Sequence, residues 1–156
     1  MNGTPVMRRF LIMAAIFVAT APFILAPAGS QPEFLSNVQP DRDATNGEFI
    51  IEFRATSSLA DRAVEAGYLL VTTIAIRDRS GQLVADLRDS QTVEKLERAE
   101  ASQGMVPLQP QTIEWLGAKA GVFLIQHTTV LTTADGGAVP VFGYTGAGNS
   151  YRLLIP

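Results

Sequence analysis

A mainly β chain folded as an antiparallel sandwich or barrel is the fold class this sequence predicts, on three observations. Apolar residues alternate with a period of two, most cleanly over residues 48–54, where Phe49, Ile51 and Phe53 share one face. Turn sequences punctuate such stretches: Asp78-Arg79-Ser80-Gly81, Asp135-Gly136-Gly137 and Gly146-Ala147-Gly148-Asn149. The length, 156 residues, leaves room for one domain with a real core and not for two.

The chain opens on a targeting pattern. Arg8-Arg9 form a basic head, residues 10–25 an apolar run, and Ala26-Pro27-Ala28 place small residues where a signal peptidase cuts. Residues 1–28 therefore read as a signal peptide cleaved before Gly29, and the protein as periplasmic or otherwise exported. The other reading is an uncleaved anchor. Thr20 and Pro22 interrupt the run, which falls short of the roughly 20 apolar residues a spanning helix needs, and this favours cleavage. The paired arginines also fit a twin-arginine route. Residues 29–46 turn to Gln, Pro, Ser, Asn and Asp, with Phe34, Leu35 and Val38 as their large apolar residues, and read as a linker. The folded domain is expected at 47–156.

Within it, 48–54 is a half-buried strand. Ser58 followed by Asp61, Ala63 and Val64, with a stop at Gly67, reads as a short capped helical turn. Residues 68–76 and 82–87 form a hairpin about the Asp78–Gly81 turn. Residues 122–133 are the longest β-type run, returning through Asp135-Gly136-Gly137 into 139–144, and 151–155 is a last strand. Two stretches pull elsewhere. Residues 92–101 hold good helix formers with Glu94 four residues before Arg98, and 111–120 reads as helix or strand. The expected core is Phe49, Ile51, Phe53, Leu69, Val71, Leu83, Ile125, Val141 and Leu153.

Composition excludes several functions. The formal charge is −3, and removing Arg8 and Arg9 with the leader takes it to −5, which gives no footprint for nucleic acid and none for a membrane beyond the N-terminal segment. There is no cysteine, hence no disulfide and no thiolate ligand. With one histidine and no Gly-x-Ser-x-Gly elbow, no nucleophile has a credible base; no catalytic residue is assigned and the protein is read as no enzyme. Gly143, Gly146 and Gly148 lack the order of a phosphate loop and precede a strand, not a helix. Asp135 lacks the companion carboxylates of a calcium loop and reads as a hairpin turn.

His127 shares a strand face with Phe123, Ile125, Thr129 and Leu131. Its side-chain chemistry favours a half-buried histidine bonded to a neighbour over a metal ligand, because a ligand needs partners. Met105 is by the same logic more often a core filler than a copper ligand.

The order of Arg54-Ala55-Thr56, Ala66-Gly67-Tyr68-Leu69, Gln82-Leu83-Val84, Val93-Glu94, Gly104-Met105 and Gly136-Gly137-Ala138-Val139-Pro140-Val141 resembles the PCu(A)C family of periplasmic copper chaperones over residues 52–156. The resemblance implies a cupredoxin-like β-sandwich and a Cu(I) site of His and Met, soft ligands suited to that ion. Counting from Met105 puts Glu94 at the family's first histidine, His127 at the second and Thr129 at the last methionine. A register anchored on Val139-Pro140 instead puts Phe123 and Ile125 at the His-x-Met pair. Past the leader the chain keeps one methionine, one histidine and no cysteine, too few for a three-ligand soft site within one chain.

Two functions follow. One is a copper-handling or oxidase-assembly accessory, with Met105 and His127 as residual metal ligands completed by a partner or a second copy. The other is a non-metal interaction module docking another envelope protein through its surface or a sheet edge.

Overall fold

A computed structural model describes residues 32–40, 47–97, 101, 104–141 and 149–156. The leader at 1–28, parts of 29–46, and residues 142–144 of the strand expected at 139–144 lie outside the described residues. The elements are β1 (Phe34–Pro40), β2 (Glu48–Thr56), α1 (Ser57–Ala66), β3 (Leu69–Arg77), β4 (Leu83–Thr92), β5 (Met105–Glu114), β6 (Gly121–Thr132) and β7 (Ser150–Ile155). They form two antiparallel sheets, sheet A in the order β1-β2-β5 and sheet B in the order β4-β3-β6-β7. The expected mainly antiparallel β fold in two layers is what the chain adopts. Strands 1, 2 and 5 against 3, 6 and 7 is the Greek-key division of immunoglobulin-type sandwiches, with β4 moved to the edge beside β3.

The alternation at β2 does what the sequence predicts. Phe49, Ile51, Phe53 and Ala55 are buried between the sheets, and Phe34 of β1 stacks on Phe53 with ring centroids 6.0 Å apart. Facing them are Leu70, Ile74 and Ile76 of β3 and Phe123, Ile125 and Leu131 of β6. Trp115 closes one end, edge-on to Phe123 at 4.9 Å.

α1 carries the chain from sheet A to sheet B and buries Leu59, Ala60 and Ala63. Its cap is Thr56, whose Oγ1 accepts from the Leu59 amide at 3.4 Å, rather than the Ser58 of the sequence reading. It ends in a Schellman arrangement: Tyr68 N–H donates to Ala63 O, Gly67 N–H to Val64 O, and Gly67 takes the left-handed φ of 67°.

Three expectations differ from the structure. Phe34–Pro40, inside the stretch read as linker, is strand β1, pairing with β2 from Phe34↔Ala55 onward. Of the expected core, Leu83 is exposed and Leu69 and Leu153 are half-buried. The inward phase of β3 starts at Leu70, and Leu83 begins an edge strand next to a bulge at Ile76/Arg77. The described part of 92–101 is not helical: β4 runs through Thr92, and the next residues lie along β5, with Gln109 N–H donating to Glu94 O and Leu96 N–H to Pro107 O. Residues 111–114 complete β5.

Candidate functional site

Antiparallel pairing keeps directly opposed residues on one face, and on the inner face of sheet B this assembles a polar layer. Thr72 of β3 pairs with Thr129 of β6, Ile74 with His127, and Asp89 of β4 with Thr72. The hydroxyls of Thr72 and Thr129, both fully buried, lie 2.9 Å apart and satisfy each other. From sheet A, buried Gln111 donates through Nε2 to Asp89 Oδ2 at 3.2 Å, and Ser36 Oγ meets His127 Nε2 at 3.0 Å. The layer thus ties the sheets together at β5–β4 and at β1–β6.

His127 is 3% exposed, more deeply buried than half. Both its ring nitrogens are engaged. Asn149 N–H donates to Nδ1 at 3.0 Å, so the neutral ring carries its proton on Nε2 and donates it to Ser36. Burial holds the imidazole below its ordinary pKa.

Asn149 also reaches across to sheet A. Its side-chain amide accepts from Val38 N–H at 2.8 Å and donates to Val38 O at 3.0 Å, standing in for a neighbouring strand at the edge of β1. Sequence reasoning placed Asn149 in a turn and Ser36 in a linker; the partnership joins positions far apart in the chain and leaves no local signal.

The registers do not bring Met105 and His127 together. Met105 pairs with Thr56, one step along from Val106, which pairs with Ala55 and packs on the core. Successive strand residues face opposite ways, so Met105 points out of the inter-sheet space that His127 points into. It is buried at 6% exposure. Of the other positions the resemblance selects, Thr129 is committed to Thr72, Glu94 is exposed beside β5, and Phe123 and Ile125 lie in the core.

The outer face of sheet B has a different chemistry. Leu124 is paired with Arg77 on one side and Arg152 on the other, and Val122 with Leu154, which is 69% exposed. A groove of about 230 Å³ is lined there by Arg77, Arg79, Arg152, Val122 and Leu124. Asp78 lines it as well, but its Oδ1 accepts from Ser80 N, Ser80 Oγ and Gln82 N, and the Ser80 hydroxyl above all holds the carboxyl below its ordinary pKa. A second depression, about 450 Å³, lies at the opposite end of sheet B beside Val71, Arg88, Ser90 and Asp135.

No family model matches the chain, and no curated protein matches it. Among solved structures, the chain is similar to the CARDB domain of a Pyrococcus furiosus protein, crystallised in complex with di-metal ions, at 13% identity and a TM-score of 0.40, over 79% of this chain and 87% of that one.

Proposed function

We propose that the chain is an exported, non-enzymatic protein-interaction module of the cell envelope that works without a metal. The observation that carries this reading is the outer face of sheet B, where Val122, Leu124 and Leu154 adjoin by register beside an edge strand with no neighbour among the described residues. Scattered exposed aliphatics are ordinary, but neighbouring ones on a regular face next to an open edge match the way sheets recruit partners. The leader pattern supports the compartment.

The copper-chaperone reading rests on Met105 and His127. Their opposite facing and the two occupied nitrogens of His127 speak for the interaction module instead.

One pair of measurements tests the proposal. The chain recovered from the envelope should take no Cu(I) from a chromophoric chelator, and a photo-crosslinking residue at position 154 should give a discrete adduct with another envelope protein. Stoichiometric Cu(I) uptake abolished by His127→Gln would restore the chaperone reading. Absence of any adduct from crosslinkers placed at 84, 116, 130 and 154 would sink the module.

A further inference from the structure

We propose that the groove at the β7 end of sheet B binds an extended acidic segment of another polypeptide, one bearing an Asp or Glu two residues from an aliphatic side chain. This rests on the interaction-module reading and names its site and the chemistry of its partner.

Charge complementarity carries the assignment. Arg77, Arg79 and Arg152 line one groove of a chain whose net charge is −3. Among the described residues none of the three is paired with a carboxylate; the salt bridge these residues contain is Lys95–Asp61, elsewhere. Arg77 spends one Nη1 bond on Gly81 O at 3.1 Å and keeps the rest of its fork. The nearby acid, Asp78, is turned into its own turn by Ser80 and Gln82. Guanidinium groups beside apolar side chains bind carboxylates more strongly than the same groups in open water, because the neighbouring surface excludes solvent.

The spacing follows from the pairing. On the outer face one cross-strand row runs Arg152, Leu124, Arg77, and the next runs Leu154, Val122. A strand added alongside β7 would set one outward side chain against Arg152 and the side chain two residues away against Leu154. An acid in the first place and an aliphatic in the second satisfy both rows, while the β7 backbone supplies hydrogen bonds irrespective of sequence.

The probe is a fluorescein-labelled peptide of about ten residues carrying Glu and Leu two positions apart with Thr between, titrated by anisotropy against the chain recovered from the envelope. It should bind, and binding should weaken with added salt. Arg152→Glu should cut affinity about tenfold or more, and a peptide with Lys in place of Glu should regain it on that variant. Arg88→Glu, at the far end of the same sheet, should change affinity by less than about twofold. All these positions are exposed, and unchanged thermal midpoints would certify the folds. No binding of the acidic peptide, or equal loss from Arg88→Glu, overturns the site. So does full competition by millimolar inorganic phosphate, which would mark a small-anion groove. An envelope adduct from a crosslinker at 84 or 116 with none at 154 would keep the interaction module and remove this site from it.

Discussion

Asn149 and His127 hold each other twice: the Asn149 amide donates to His127 Nδ1 at 3.0 Å, and the His127 amide donates to the Asn149 carbonyl at 3.2 Å. Because the Asn149 side chain also engages both polar groups of Val38, one residue ahead of β7 fastens the β1 edge of sheet A to β6 of sheet B. Asn149→Ala should cost about 1–3 kcal/mol, the range for buried groups left without partners. The local signature is hydrogen exchange: the Val38 amide should lose protection more than the amide of Ile51, inside sheet A. Equal loss at both would mean that the substitution merely lowers global stability.

Burial of the same His127 ring makes stability depend on pH. His127 titrates below its ordinary 6.5 in the folded chain, so between the two values the unfolded chain binds more protons and stability rises with pH. The contribution is complete above 6.5 and is lost as pH falls through the window toward the folded value. Urea unfolding between about pH 7.5 and 5 should show this slope, and His127→Gln should flatten it while lowering stability by about 1–3 kcal/mol. A slope unchanged by the substitution would assign it to the carboxylates.

Thr72 and Thr129 satisfy only each other in the buried layer. Replacing either by Val strands the remaining hydroxyl and should cost about 1–3 kcal/mol, whereas the double Val variant should recover most of the loss. Chemical denaturation of the four proteins gives the coupling; strict additivity would show that no bond exists between them.

The copper register has its own test. Glu94→His with Thr129→Met supplies the ligands that the PCu(A)C resemblance lacks, yet Thr129 faces the core, Glu94 is exposed beside β5, and Met105 faces away from His127. The double variant should gain no Cu(I) affinity against a chelator and should lose stability, because a longer side chain is forced into a filled layer. Tight Cu(I) binding by a folded double variant would reinstate the family site.

Gly67→Ala probes the helix end. Gly67 has φ of 67° with open space where a Cβ would stand, so the cost is conformational alone, about 1 kcal/mol. A thermal melt should show a small loss with no change in the spectrum of the folded state.

How much was written in the sequence divides along a physical line. Where burial on one face imposes a period of two, as at Phe49, Ile51 and Phe53, or where Gly ends a helix, as at Gly67, local pattern determined local structure. The two-sheet class, the hairpin at Asp78–Gly81, the long strand at 122–132 and the terminal strand all follow from such patterns. Single-residue phase was less legible. Residues 68–76 are apolar on both faces, so alternation alone did not distinguish Leu69 from Leu70, and the bulge at Ile76/Arg77 changed the register before Leu83.

What only the tertiary structure decided are matters of partnership. β1 is polar at Ser36, Asn37 and Gln39 and carries its strand only because β2 pairs with it and Ser36 Oγ accepts from His127 Nε2. Residues 92–97 hold helix formers but trade helical bonds for bonds to Tyr68, Pro107 and Gln109, since an edge that buries Val93 outweighs intrinsic propensity. The facing of Met105 was set by the register of β5 on β2, which no count along the chain contains. Likewise Arg152, Leu124 and Arg77 are scattered in sequence and adjacent only in the sheet. Periodicity is a property of one segment and can be read from it. A contact between segments depends on register, and register is fixed only when all the strands have found their neighbours.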